Sequence, residues 1–201
     1  MLDPVPHELP TRLFKSVGEW EAWLAANHDR SRGLRLKLSK RGAGAASVTY
    51  AQALEVAIQF GWIDGQKGAL DAACWLQKFT PRGPKSRWSK VNRATAMRLT
   101  KEGRMRPAGL AAIESAKADG RWEAAYDSQS RASVPPDLRR ALASNAAAQG
   151  FFETLDSHNR YAILYRIHDA KSLETRAKRI ATYVQMLARG ETLHPRKKKR
   201  A

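Results

Sequence analysis

Residues 33–79, GLRLKLSKRGAGAASVTYAQALEVAIQFGWIDGQKGALDAACWLQKF, change hydrophobic period twice. Leu34, Leu36 and Leu38 alternate with Arg35, Lys37 and Ser39, the period of a strand with one buried face and a basic outer face. Residues 41–47 are a small-residue loop. From Val48 the period lengthens, and VTYAQALEVAIQF reads as a helix over 48–60. Thr49 is its cap, and Tyr50, Leu54, Ala57 and Ile58 form its inner stripe. Gly61 stops the helix, and GWIDG at 61–65 reads as a glycine-bounded corner. Residues 66–70 and 73–79 then read as paired strands turning near Asp71.

Working outward, Leu13 and Phe14 look like a short first strand. Ser16 and Glu19 have the spacing of a capping box, so a helix is expected over 17–28. Downstream, two prolines and a glycine make PRGPKSRW, residues 81–88, a loop. Helices follow at 90–102 and 108–119, with Ser86 or Ser89 as the cap of the first. Residues 127–136 are a polar, Pro-rich link. A helical run over 137–155 breaks near Asn145, Ser157 caps 158–169, and Ser172 caps 173–189 with Gly190 as its stop. The expected fold class is α+β, with a small, mostly antiparallel sheet and helices in the N-terminal half and a helical C-terminal half. The expected organisation is an α+β domain at 1–126, a linker at 127–136, a helical region at 137–193 and a disordered basic tail at 194–201.

The chain of 201 residues is 43% apolar and 27% charged, which argues against wholesale disorder. No apolar run approaches the roughly 18–20 residues of a membrane span. The start, MLDPVPHELP, has neither the basic nor the apolar region of a signal peptide. Cys74 is alone and cannot form an internal disulfide. A cytoplasmic location is the expectation that follows.

The net charge is +17, and it is segregated along the chain. Residues 1–77 carry a net +1, 78–106 a net +9, 107–135 a net −1 and 136–201 a net +8. Such segregation points to specific basic surfaces. Lys78, Arg82, Lys85, Arg87, Lys90 and Arg93 lie between or beside Phe79 and Trp88, and the segment feeds a helix N-terminus that favours anions. Arg176 and Arg179 add a basic face to the last long helix. These eight are the candidate nucleic-acid-binding residues. For each, the alternative is a solvated or structural cation, and for Trp88 a core position.

The second candidate site brackets a small anion between GWIDG and the loop. Its residues are Tyr50, Trp62, Asp64, Arg82, Lys85, Ser86, Arg87, Trp88 and Asn92. Arg82 and Lys85 would hold phosphate or carboxylate, and the tryptophans would line the pocket. Asp64 would orient them or act as a base, or else serve only as a salt-bridge anchor. No nucleotide-binding glycine motif and no histidine spacing for a metal occurs, so neither cofactor nor metal is expected. A lone Asp defines no reaction class, and no catalytic residue is assigned. Cys74 reads as a small buried hydrophobe.

The ordered motifs SVTYAQALEVAIQFGWIDG, QKFTPRGPKSRWSKVN, RLTKEGRMRPAGLAAIE and NRYAILYRIHDAKSLETRAKRIATYVQMLARGE resemble the YdeI/OmpD-associated family, also called OmdA-like or bacteriocin-protection. The resemblance runs over about residues 14–193. It implies a link to bacterial resistance against cationic antimicrobial peptides and bacteriocins, in association with a porin. It implies no catalytic residue and no cofactor. A +17 chain repels a cationic peptide, so any protection is expected to be indirect.

Three functions remain open. The first is a cytosolic basic protein that binds a polyanion, nucleic acid foremost, in a stress or resistance setting. The second is a protein or enzyme holding an anionic metabolite in the pocket beside Asp64. The third is an interaction module that docks a partner on an apolar patch of 138–165. Oligomeric state is not encoded in any of these patterns.

Overall fold

The computed structural model describes residues 9–43, 46–129 and 131–195. The chain folds as two compact units that divide between Ala125 and Tyr126. The fold is α+β, with every strand in the N-terminal unit.

The N-terminal unit runs β1 (Thr11–Leu13), α1 (Val17–Asn27), β2 (Leu34–Ser39), α2 (Tyr50–Gln59), β3 (Trp62–Ala69), β4 (Cys74–Pro81), α3 (Lys90–Lys101) and α4 (Pro107–Ala118). The strands form one sheet in the order β1-β2-β4-β3. β1 pairs parallel with β2, and the other two pairings are antiparallel. The alternation in β2 sets the register. Leu34 lies opposite Phe79, Leu36 opposite Gln77 and Leu38 opposite Trp75, so the apolar side chains share one face. That face packs against Trp20 and Leu24 of α1 and Val56 of α2, all buried. Each such side chain contributes about 1.5–3 kcal/mol on leaving water. The buried indoles keep their polar ends satisfied: Trp20 Nε1–H donates to the Ala53 carbonyl at 3.0 Å, and Trp62 Nε1–H to the His28 carbonyl at 3.1 Å.

Local signals explain the helix starts. Ser16 Oγ accepts the Glu19 N–H, while the Glu19 carboxylate reaches back to the Lys15 N–H at 2.8 Å. Thr49 and Gln52 form a complete capping box on α2. Ser89 caps α3 by accepting the Asn92 N–H at 3.1 Å.

Three expectations need correction in detail. The buried stripe of α2 is Ala53, Val56, Ala57 and Ile58, while Tyr50 is 38% exposed. Tyr50 sits in the first turn, where its ring reaches the rim of the sheet. GWIDG is not a corner. Gly61 alone makes the turn, at φ +71°, and β3 begins at Trp62. A register irregularity between Asp64 and Lys67 absorbs the glycine within the strand. Finally, β4 continues one residue into the expected loop, to Pro81.

The second apolar core lies behind α2, where Ile58 meets Trp88, Ala96, Leu99, Ile113 and Trp122. Here α4 approaches α2 closely because Gly109 has no side chain. A Cβ at Gly109 would lie 2.2 Å from the Gln59 carbonyl oxygen.

The C-terminal unit holds α5 (Pro136–Ala143), α6 (Ala146–Glu153), α7 (Ser157–His168) and α8 (Leu173–Ala188). Asn145 caps α6 and accounts for the expected break. Asp156, not Ser157, caps α7, because its carboxylate accepts the Asn159 N–H at 2.7 Å. The expected linker packs within this unit. Tyr161 Oη–H donates to the Asp127 carbonyl at 2.9 Å, and Val134 joins the apolar core. The fold also extends past the expected start of the tail. The fully buried amide of Asn159 accepts the His194 N–H at 2.9 Å and donates to the His194 carbonyl at 3.2 Å. The basic residues 196–201 lie outside the described residues.

α5 and α8 are joined by a fork. Arg176 Nε and Nη2 donate to the two oxygens of Asp137 at 2.5 and 2.9 Å, and Nη1 donates to the Ile167 carbonyl at 3.0 Å. This fork holds the Asp137 carboxyl below the usual carboxylate range, and burial opposes the shift only in part.

Two predictions follow from this packing. Gly109→Ala should lower the unfolding free energy of the N-terminal unit by about 1–3 kcal/mol or more, because the clash is with backbone. Urea denaturation measures it, and a loss no larger than the glycine-to-alanine helix gain would mean that the helices part easily. The Asp137 pKa is depressed on folding. Its stabilisation is therefore present above the unfolded value near ~4 and disappears as pH falls through the folded value. Asp137→Asn should weaken the C-terminal unit at neutral pH and reduce its acid sensitivity. Thermal melts across that pH range check this, and parallel curves for the two proteins would contradict it.

Candidate functional site

Four arginines of the basic segment, Arg93, Arg98, Arg104 and Arg106, meet acids from outside it. Glu55 of α2 receives Arg98 at 2.5 Å and Arg104 at 2.8 Å. Glu102 receives the same two arginines at 2.9 and 3.1 Å. The Arg98 hydrogen bond is the leading cause of a lowered Glu102 pKa. Arg106 reaches Glu21 of α1 at 2.7 Å. Arg93 donates to the Trp122 carbonyl at 2.9 Å and lies 3.5 Å from Glu123. These exposed pairs add little stability, but they cancel much of the local field.

The C-terminal candidates are engaged as well. Arg176 is held by the Asp137 fork. Arg179 donates to the Arg166 carbonyl at the end of α7 and lies 3.8 Å from Asp169. Both tie α8 to its neighbours within the unit, which is a structural role.

The loop after β4 divides its residues between core and surface. Trp88 is 1% exposed and meets Trp122 edge to face at 4.9 Å. Arg82 lies flat over Trp88, with Cζ 3.5 Å from the ring centroid, and donates Nη1–H to the Arg87 carbonyl at 3.0 Å. Ser86 Oγ accepts the Gly83 N–H at 2.9 Å. Lys85 and Lys90 are exposed, and Asn92 is buried in the first turn of α3. Ser89 already occupies the helix N-terminus that the sequence reading offered to an anion.

Asp64 is brought to Tyr50, whose Oη–H donates to it at 2.8 Å. Lys67 lies 4.3 Å above the neighbouring Trp75 ring. Asp64 and Tyr50 therefore form a patch on the sheet rim.

A different cleft opens between the two motifs, with a volume of about 510 Å³. Trp62 and Arg82 line it, and Asp64, Tyr50, Lys85 and Trp88 do not. Sequence reading missed Arg121 and His28 there. Arg121 sits in a segment of net negative charge, so a search for basic runs passes over it. Its side chain is 18% exposed and pairs with Asp119 at 2.6 Å. Nη1–H donates to the Ser86 carbonyl at 2.8 Å and Nη2–H to Ser115 Oγ at 3.1 Å.

The outward face of the sheet is the other basic feature. Thr11 and Leu13 of β1, Arg35 and Lys37 of β2, and Leu76, Lys78 and Thr80 of β4 share it by register. Arg35 lies directly opposite Lys78, and Lys37 opposite Leu76. None of these side chains belongs to an apolar core. Asp71 at the β3–β4 turn lies 3.9 Å from Lys37. Its carboxylate chiefly accepts the Ala73 and Cys74 N–H groups at 2.8 and 2.6 Å.

The C-terminal unit has a smaller hollow of about 150 Å³, lined in part by Tyr126, Tyr161 and Tyr165. Burial pushes the Tyr161 phenol up to about 12. Cys74 is a buried free thiol. Among the described residues no His, Cys, Asp and Glu cluster could hold a metal, and no helix is long and apolar enough to cross a membrane.

Comparison with known proteins divides the chain in the same way. Residues 12–112 match the model of a domain of unknown function, DUF8412. Residues 131–190 match the model described as bacteriocin-protection, YdeI or OmpD-associated. No curated protein and no solved structure matches the chain. The resemblance read across the whole sequence thus resolves into two domain matches. The chain belongs to the DUF8412 domain family through its N-terminal unit, and residues 131–190 match the domain described as bacteriocin-protection, YdeI or OmpD-associated.

Proposed function

We propose that the protein binds a polyanion, nucleic acid foremost, through the outward face of its N-terminal sheet. We place this activity in the stress or bacteriocin-resistance setting that the name of the C-terminal family suggests. The observation that carries the reading is the basic triad on that face: Arg35 opposite Lys78, with Lys37 two residues along. Like charges directly opposite one another on a sheet are destabilising. Adjacent strands lie about 4.8 Å apart, and same-face neighbours on one strand about 6.7 Å. The strands thus hold three cations at neighbouring positions of one face, with Asp71 of the β3–β4 turn 3.9 Å from Lys37. A row of phosphates would meet this basic face and release its own counterions. Lys78 is the one sequence candidate retained in this site. Thr11 and Thr80 supply hydroxyls on the same face.

The test is the salt dependence of binding to labelled duplex. The triple change Arg35→Gln, Lys37→Gln and Lys78→Gln should reduce the slope of log K against log salt by about 2–3, at roughly 0.9 per phosphate contact. Arg98→Gln with Arg104→Gln should leave that slope unchanged. A chain ending at Pro195 should retain salt-sensitive binding, since the sheet is intact. An unchanged slope in the triple variant, or binding lost with residues 196–201, would overturn the assignment.

A further inference from the structure

We infer that the cleft between Gly61–Trp62 and the Pro81–Pro84 segment is a second binding site, for a small oxyanion carried on a flat apolar body. This does not depend on nucleic-acid binding by the outward sheet face. The volume, about 510 Å³, is within the range that encloses small-molecule ligands. Two arginines line it, and both are held in place before any ligand arrives. Arg82 is fixed flat on Trp88 and tied to the Arg87 carbonyl. Arg121 is tied to the Ser86 carbonyl one residue earlier in the same loop.

Arg121 differs from the Arg176 fork in the kind of acceptor it meets: one of its three bonds goes to a carboxylate, against two of three for Arg176. A guanidinium has five N–H groups. Arg121 uses one on Asp119, one on Ser86 and one on Ser115. Among the described residues the other two have no protein acceptor, on a side chain that is 18% exposed. A planar oxyanion would accept from such a fork with charge assistance.

The rest of the lining selects the body of the ligand. The exposed rings of Pro81 and Pro84 supply apolar surface, the buried Phe60 and Trp62 back the cleft, and Ala108 and Ala112 leave room beside them. His28 lines the same cleft. Its Nδ1 faces the Leu24 carbonyl at 3.0 Å and must donate there, so Nε2 remains as the polar atom for a ligand. Asp29 is the acid among the lining residues, and it sets a cost against a ligand of higher negative charge. Benzoate and phenyl phosphate share the required chemistry, a single oxyanion head on a flat ring. Phenol has the ring without the charge.

The experiment is calorimetric titration of the full chain with benzoate, phenyl phosphate and phenol, with the indole N–H signals of Trp62 and Trp88 followed by NMR. At least one of the two anions should bind and shift the Trp62 signal, and phenol should bind at least tenfold more weakly. Arg121→Gln should weaken the anion at least tenfold. Because Arg121 also holds the loop, Ala112→Leu provides a second route: it fills the cleft without touching either arginine and should abolish binding. Lys78→Gln, on the sheet face, should leave it unchanged. Binding of phenol equal to that of the anions, no binding of either anion, or full affinity in Ala112→Leu would overturn the proposal.

Discussion

The alternation of Leu34, Leu36 and Leu38 with Arg35 and Lys37 commits the sheet to one buried face, and most of the N-terminal unit depends on that commitment. A slip of one residue would bury both cations and expose all three leucines. The core therefore fixes the register of β2, and pairing with β4 carries it to Phe79 and Lys78. The same constraint that builds the core aligns the basic triad on the opposite face. Packing produces the site geometry without any contact dedicated to it.

Linear charge segregation is a poor guide to surface potential here, and the reason is topological. The acids that balance residues 93–106 come from α1, α2 and the segment after α4: Glu21, Glu55 and Glu123. A helix interior separates these acids from the arginines in sequence, while packing places them within hydrogen-bonding reach. Segment sums cannot register that. Lys78 differs because its place on the outward face is set by strand register, not by its neighbours in sequence.

What was legible was local. Ser16, Thr49, Ser89 and Ser172 were readable as caps because an N-cap bond spans three residues. The strand period of β2 and the two-part α+β layout were readable for the same reason. The sequence reading of GWIDG failed because two glycines suggest a corner, whereas a register irregularity lets β3 run through the second one. The pocket beside Asp64 failed for a similar reason. Asp64 faces α2 and is met by Tyr50, while Arg82 turns toward Trp88 on the other side of the turn at Gly61. Trp62 and Arg82 line one cleft, and Arg121 and His28 are contributed to it by elements remote from both motifs.

The arginines of this chain separate by the kind of acceptor that folding supplies. Arg176 faces a carboxylate that takes two of its donors and a helix-end carbonyl that takes a third, and the carboxylate neutralises it in a bidentate fork. Arg98 and Arg104 share two glutamates on an exposed surface, where water can supply whatever is missing. Arg121, at 18% exposure, engages a carboxylate through Nε alone, so its Nη edge is held by neutral acceptors and retains donors. An unsatisfied buried donor carries a desolvation cost of about 1–3 kcal/mol, which selection removes unless something else uses the group. Water can meet that need in the free protein, and an oxyanion meets it better because it brings charge to a guanidinium only partly neutralised by Asp119. Anchoring mainly by neutral acceptors at the wall of a cleft, and not the density of basic residues along the chain, is therefore the physical basis of the site inferred at Arg121.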